Sequence, residues 1–275
     1  MGNPIAHSLS PRIHRIFARQ TGQTLSYEAL LVPIDGFAEA VAAFRNSGGK
    51  GMNVTLPFKR EAWEVVNERT PRAARAGAVN TIVIHEDGRL TGDNTDGAGL
   101  LRDLTINNDI RIADAEVLLL GAGGAARGVL EPLLAAQPKR VVIANRTADK
   151  SRQLARDFGD LGYVDGCGLD ELHGNNFNLI INGTAAGVQG EAPEIPHDSL
   201  QKRGCCYDMF YGREPTAFVR WGLQHGAVKS IDGLGMLVEQ AAESFALWRD
   251  VRPKAREVIA ALAPWRTDHR LPRDV

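Results

Sequence analysis

Beyond about Leu100 the apolar residues fall in short unbroken runs, Val117-Leu118-Leu119-Leu120, Val141-Val142-Ile143, Leu179-Ile180-Ile181 and Cys205-Cys206-Tyr207. Such runs, bounded by Gly and polar residues and separated by longer amphipathic stretches, predict buried strands alternating with helices. The implied architecture is a parallel sheet covered on both faces. Pro132 interrupts the first of these helices and predicts a kink there. Before Leu100 the pattern is mixed. Ile13, Ile16 and Phe17 recur at helical spacing after Ser10-Pro11, which reads as a cap followed by proline at the first helical position. Phe37, Ala40, Val41 and Phe44 form a second stripe that Gly48-Gly49 ends. Residues 81–86 and 89–94 flank Asp87-Gly88, a two-residue turn signal, so Thr81 is expected opposite Asn94, with Asn80 and Asp96 emerging at the same end of the hairpin. Leu234, Leu237, Val238, Ala241, Phe245 and Trp248 share one face of a last clear helix, expected to return to the first domain. The expectation is an α/β protein of two domains, residues 1–99 with 234–275 and residues 100–233. The tail beyond Pro264 is polar and Arg-rich, and is expected to be loosely held.

Composition narrows the partners. The chain has 275 residues, 44% of them hydrophobic, enough for two cores. With 32 basic against 33 acidic residues it has no bulk attraction to nucleic acid or anionic membrane, so small molecules are the expected partners. No apolar run approaches the roughly 20 residues of a membrane span, and the N-terminus lacks the regions of a signal peptide. Cys167, Cys205 and Cys206 have no metal-ligand spacing, and adjacent cysteines make a poor structural bridge; no metal site and a reducing cytoplasm are the simple expectations.

Gly121-Ala122-Gly123-Gly124-Ala125 follows an apolar strand and opens a helix. In that context backbone N–H groups and the helix dipole meet a pyrophosphate. A bare strand-to-helix turn is the alternative. At the end of the next strand, where an NAD enzyme carries an acidic residue for the ribose 2′-hydroxyl, this chain has Asn145-Arg146-Thr147, with Lys150 beyond. Two cations without a facing carboxylate suit a 2′-phosphate, so NADP is preferred; Thr147 could also cap the next helix.

Asn53-Val54-Thr55-Leu56-Pro57-Phe58-Lys59 and Gly92-Asp93-Asn94-Thr95-Asp96-Gly97 place polar groups beside structure-breaking residues, where scaffolds present chemistry. Reducing a ketone needs hydride on carbon and a proton on oxygen. A positioned Lys59 ammonium can supply that proton and Asp96 can hold it, although burial of the amine opposes its charge. The competing reading of Lys59 is a solvated lysine at a helix start. Ser8 and Ser10 at a helix N-terminus suit a carboxylate, or Ser10 is a plain cap. Asn53, Thr55, Asn80 and Gln240 are neutral groups of the kind that read a polyhydroxylated ring, although Asn53 and Thr55 also suit turns.

In this order the motifs resemble those of the shikimate dehydrogenases, from Gly2 to about Trp248. Gly2-Asn3-Pro4-Ile5-Ala6-His7-Ser8-Leu9-Ser10-Pro11 resembles the family's opening, whose two serines bind the substrate carboxylate. The segment ending in Lys59 resembles that with the catalytic lysine, and Ala78-Val79-Asn80-Thr81 and Asp93-Asn94-Thr95-Asp96-Gly97 those with the substrate asparagine and catalytic aspartate. Residues 121–125 and 145–147 resemble the NADP site. Tyr207-Asp208-Met209-Phe210-Tyr211 and Asp232-Gly233-Leu234-Gly235-Met236 complete the pattern, which implies Met209 and Gly233 toward the nicotinamide, and Tyr211 and Gln240 toward the substrate. The resemblance implies a substrate domain closed by the C-terminal helices, a Rossmann-like NADP domain, catalysis in the cleft between them, and NADPH-dependent reduction of 3-dehydroshikimate to shikimate on the route to chorismate and aromatic amino acids. A monomer or a homodimer is expected.

Two departures from the family stand out. Its members carry a strand of several residues before Gly2 that is missing here, and a sheet without it would expose two edges. An N-terminally extended version is therefore expected to show a higher urea midpoint. Pro71 replaces an acidic residue of some members, with little expected effect. The rival readings are a quinate/shikimate dehydrogenase using NAD, against which residues 145–147 argue, and a non-catalytic NADP-binding homologue, against which Lys59 and Asp96 together argue.

Overall fold

The computed structural model describes residues 1–184, 186 and 190–267. They form two compact units, one of residues 1–99 with the chain from Val238 onward, the other of Leu100–Leu237.

In the first unit the chain runs through α1 (Ser10–Thr21), α2 (Phe37–Asn46), β1 (Gly51–Asn53), α3 (Lys59–Val65), β2 (Glu68–Arg69), α4 (Pro71–Ala76), β3 (Thr81–Ile84) and β4 (Leu90–Asp93) to the start of α5 (Asp96–Arg102). The strands form one sheet in the order β1-β3-β4-β2, antiparallel except where β2 joins β4. Phe37 and Phe58 stack at 5.1 Å in its core, with Val41, Met52, Val54, Ile82 and Leu90 around them. Residues 1–3 lie in extended pairing between two segments: Gly2 bridges Leu31 in parallel, while Thr55 N donates to Met1 O and Asn3 N to Leu56 O, both at 3.0 Å.

Two local expectations shift by one residue. The N-cap of α1 is Leu9, without a side-chain cap, and Ser10 is already helical, its N–H donating to Ser8 Oγ at 3.3 Å. Proline suits either of the first two helical positions, because neither N–H has an intrahelical acceptor, so Pro11 alone could not fix the boundary. In the hairpin Thr81 faces Asp93 rather than Asn94, and Ile84 faces Leu90. The loop has three residues, closed by His85 N to Arg89 O at 2.9 Å, with Gly88 at φ +84°. That left-handed glycine is the end residue of a three-residue loop, a turn chemistry the Asp-Gly pair also satisfies.

The second unit contains β5 (Glu116–Leu120), α6 (Gly124–Ala135), β6 (Arg140–Asn145), α7 (Ala148–Phe158), β7 (Val164–Gly168), β8 (Phe177–Asn182), β9 (Leu200–Asp208), α8 (Ala217–Gln224) and β10 (Lys229–Ile231). Its six strands are all parallel, in the order β10-β9-β8-β5-β6-β7. The four predicted apolar runs lie in β5, β6, β8 and β9. Val117, Leu119, Val141, Ile143, Leu179 and Ile181 pack on one face, and Leu118, Leu120, Val142 and Ile180 on the other. The two strands the apolar pattern did not reveal, β7 and β10, are the sheet's edges, where one flank is open and the residues are more polar. Helix α6 is continuous through Pro132 to Ala135: the proline sits in the last turn, where one lost hydrogen bond ends the helix rather than breaking it. Helix α9 (Leu234–Arg249) begins in this unit and continues into the first, followed by α10 (Ala255–Thr267). Thus α10 extends past Pro264, and the rest of the expected loose tail lies outside the described residues.

Gly166 in β7 presses on α7, where a Cβ would come within 2.4 Å of the backbone of Ser151 and Arg152. Backbone cannot move aside as a side chain can, so Gly166→Ala is expected to cost about 2–3 kcal/mol, measured as a lower urea midpoint at unchanged slope.

Candidate active site

Lys59 opens α3 and is held from both sides. The preceding Phe58 is fully buried against Phe37, and the Lys59 carbonyl accepts from Val79 N at 2.8 Å. Asp96 opens α5, where a carboxylate is favoured by the helix N-terminus. Its N–H donates to Asn94 Oδ1 at 3.2 Å, and Asn94 Nδ2 to Ala78 O at 3.1 Å. Lys59 Nζ donates to Asp96 Oδ2 at 2.5 Å and Asn80 Nδ2 to Asp96 Oδ1 at 2.8 Å, so both oxygens of the carboxylate are engaged. Asn80 Nδ2 also lies 3.2 Å from Gln240 Oε1 on α9, and Asn80 Oδ1 accepts from Thr95 N and Thr81 Oγ1, both at 2.9 Å. Asn53 joins through its Nδ2, 2.9 Å from Ser244 Oγ. The first unit therefore brings together Lys59, Asp96, Asn80, Gln240 and Asn53. Ser8 and Ser10 stand at the start of α1, and Thr55 is exposed in the loop between β1 and α3.

In the second unit β5 lies between β6 and β8, and the chain winds outward in both directions from it. That is the switch point of a doubly wound sheet, the place where a crevice opens beyond the carboxyl ends of the strands. Gly121 leaves β5 at φ +101°, and a Cβ there would sit 3.1 Å from Gly183 O, at the end of β8. Gly123 and Gly124 face open space, with nothing within 4 Å of an added Cβ. Ala122 and Ala125 complete the loop into α6. Met209 N donates to Asn182 O at 2.9 Å, its sulfur points to Gly183, and Gly233 abuts Met209 O so closely that a Cβ would stand 2.3 Å away. Gly121, Gly183, Met209 and Gly233 thus lie in a row across the strand ends. Thr147 is the N-cap of α7 but makes no side-chain cap; its carbonyl instead accepts from Asn145 Nδ2 at 3.0 Å. Arg146 and Lys150 are exposed and enter no ion pair among the described residues. Tyr211 belongs to this unit, after β9, and burial pushes its phenol up to about 12, with Asp232 adding to the shift.

A family model described as the shikimate dehydrogenase substrate binding domain matches residues 1–82. Models described as Shikimate / quinate 5-dehydrogenase and as the Shikimate 5′-dehydrogenase C-terminal domain match residues 104–189 and 233–263. A protein named Shikimate dehydrogenase (NADP(+)) from Alkalilimnicola ehrlichii is 57% identical over 264 residues, 96% of this chain and 97% of its own. The chain belongs to the shikimate dehydrogenase family. Among solved structures, an Ael1 enzyme from Pseudomonas putida is 42% identical with a TM-score of 0.89, covering 95% of this chain and 96% of its own. Shikimate 5-dehydrogenase from Thermus thermophilus, solved in complex with NADP(H) and shikimate, is 33% identical with a TM-score of 0.85, covering 96% and 97%. The family's architecture, an α/β substrate domain and a Rossmann-like NADP-binding domain, is the one seen here.

Several residues that the structure places beside these groups carry no distinct signal in the sequence. Asn182-Gly183-Thr184 follows an apolar strand as Gly121 does, and that context was the available signal. Asn182 Oδ1 accepts from Thr184 Oγ1 at 2.7 Å, while Asn182 Nδ2 donates to the buried Asp208, tying β8 to the Met209 loop. Burial raises the Asp208 carboxyl above its ordinary value despite donors at Thr216, Phe210 and Asn182. Arg72, Ser244 and Tyr27 had no local signal at all, since their partners are remote in sequence. The three cysteines are free thiols, with Cys206 pushed up to about 12 by burial. Among the described residues, no helix is long and apolar enough to cross a membrane.

Proposed function

We propose that this protein is an NADP-dependent shikimate dehydrogenase that reversibly reduces 3-dehydroshikimate to shikimate, a step toward chorismate and the aromatic amino acids. The observation that carries the chemistry is the Lys59 ammonium held at 2.5 Å on Asp96, whose other oxygen is held by Asn80. The cofactor, when bound, supplies the hydride for the carbonyl carbon. Lys59 gives a proton to the carbonyl oxygen, Asp96 orients and balances the ammonium, and in the reverse direction Lys59 takes the hydroxyl proton. Asn53, Thr55, Asn80, Gln240 and Tyr211 are assigned to the substrate hydroxyls, and Ser8 and Ser10 to its carboxylate, leaving the first unit as the substrate-binding domain. The second unit is assigned to NADP: the open cradle at Gly123 and Gly124 fits a pyrophosphate, and Arg146 with Lys150 fits a 2′-phosphate. The free thiols support a reducing cytoplasm as its compartment.

The deciding assay is NADP reduction with shikimate, with quinate and NAD as paired controls. Fast turnover of shikimate with NADP alone is expected; equal turnover with quinate or NAD would replace this reading with the broader quinate/shikimate one. For the cofactor, Arg146→Ala is expected to raise KM for NADP roughly 10- to 100-fold, the worth of a lost charge-assisted hydrogen bond. KM for NAD should hardly move, and an equal rise for both cofactors would remove Arg146 from the phosphate site.

A further inference from the structure

The Asn53 carboxamide has a partner outside the assigned site. The Tyr27 hydroxyl donates to Asn53 Oδ1 at 2.8 Å. On the other edge, Asn53 Nδ2 lies 2.9 Å from Ser244 Oγ, 3.1 Å from Thr81 Oγ1 and 3.3 Å from Asn80 O. A backbone carbonyl can only accept, so Asn80 O requires the nitrogen on that side and the oxygen toward Tyr27. Ser244 Oγ can donate to Thr81 Oγ1 at 2.8 Å or to Gln240 O at 3.0 Å; with either choice Thr81 Oγ1 donates to Asn80 Oδ1 at 2.9 Å, and Asn80 Nδ2 to Asp96 Oδ1 at 2.8 Å. A line of hydrogen bonds thus runs from Tyr27 through Asn53, Thr81 and Asn80 to the carboxylate that holds Lys59.

We propose that Tyr27 is a positioning residue, whose hydroxyl locks the Asn53 carboxamide in the one orientation that serves substrate binding, at the end of the line away from Asp96. The proposal rests on the shikimate reading above. The Tyr27 ring is itself held, stacked on the fully buried His14 at 4.1 Å and 6° between planes. Burial pushes the His14 imidazole down to about 3, so this support stays neutral at working pH. Tyr27→Phe therefore keeps the stacked ring and removes one hydroxyl. It takes the Tyr27 donor from Asn53 Oδ1 in a half-buried place, where a lost hydrogen bond is costly and the amide is held less firmly.

The test is Tyr27→Phe in the full chain, with steady-state kinetics, thermal melting and the side-chain amide NMR signal of Asn53. Expected are a roughly tenfold rise in KM for shikimate, with kcat, KM for NADP and the melting temperature little changed, and a shifted or broadened Asn53 amide pair. In an Asn53→Ala background the same change should add almost nothing, since the two residues act as one unit. An unchanged KM for shikimate overturns the proposal. So does a parallel loss of kcat, NADP affinity and melting temperature, which would make Tyr27 merely structural. If the wild-type chain does not oxidise shikimate, the functional reading fails by itself, and the Asn53 signal then decides: unmoved in Tyr27→Phe, it overturns the positioning role as well.

Discussion

Lys59→Ala is expected to cut turnover roughly 10²- to 10⁴-fold, the usual loss on removing a general acid, while NADP affinity stays nearly unchanged. Hydride addition leaves a developing oxyanion on the substrate. Without the ammonium, water must deliver the proton and nothing stabilises that charge in the transition state. The groups around Lys59 keep the lysine where it is: Phe58 anchors the helix start, the Val79 N–H donates to the Lys59 carbonyl, and Asp96 takes its ammonium. The residues assigned to NADP lie on the other compact unit, which is why binding and turnover should separate. The check is kcat and KM with shikimate beside a direct NADP titration. A fall in NADP binding as large as the fall in turnover would make Lys59 a cofactor or structural residue.

The second large effect is on stability. Arg72 on α4 makes a two-pronged contact with Asp93, Nε to Oδ1 and Nη2 to Oδ2, both at 2.6 Å, and reaches Glu243 on α9 at 3.2 Å. Thr70 Oγ1 adds a bond to Asp93 at 2.6 Å. The Asp93 side chain is 3% exposed and that of Arg72 29%. Removing the arginine leaves a buried carboxylate without its counter-charge; for a fully buried pair this costs about 3–5 kcal/mol, and the partial exposure of Arg72 lowers the expectation for Arg72→Ala to about 2–4 kcal/mol. The pH dependence gives the cause away. Burial by itself would raise the Asp93 carboxyl, but Arg72, Thr70 and the Asn94 N–H outweigh it and hold it below its ordinary value. Its contribution is therefore present above the unfolded carboxylate range and is lost as pH falls through the lower folded value. In Arg72→Ala only burial and the two neutral donors remain, so protonation relieves the buried charge. The gap between wild type and variant, measured as urea unfolding free energy, should be widest near neutrality and close in acid below about pH 4. A gap that is constant with pH would mean that Arg72 contributes packing and not charge.

Some of this molecule was open to reading along the chain, and the reasons are local. A strand buried on both faces must be apolar at successive positions, so β5, β6, β8 and β9 announced themselves, while β7 and β10 at the sheet edges did not. A backbone that turns left-handed beside another strand end needs glycine, so the loop at Gly121 was visible. Where two neighbouring solutions satisfy the same local chemistry, the reading slipped by one residue: Pro11 fits either of two helical positions, and Asp87-Gly88 fits a two- or three-residue loop.

Lys59, Asp96 and Asn80 could be named one by one because each is a distinctive side chain in a motif, and the hairpin even brought Asn80 and Asp96 to one end; Gln240 was only a neutral group on a helix. Their spacing in space was another matter. Asn53 meets Tyr27 and Ser244 across 26 and 191 residues of chain, and Arg72 meets Glu243 across 171. No local pattern marks such pairs, since a lone Tyr, Ser or Arg is common on any surface. Fold class and strand content follow from short-range sterics and the burial of apolar runs, which are properties of neighbours in sequence. Which oxygen of Asp96 faces Lys59, which way the amides of Asn53 and Asn80 point, and which charges stand behind them follow from long-range packing of the sheet against α4 and α9, because a hydrogen bond has direction only once both partners have been brought to it.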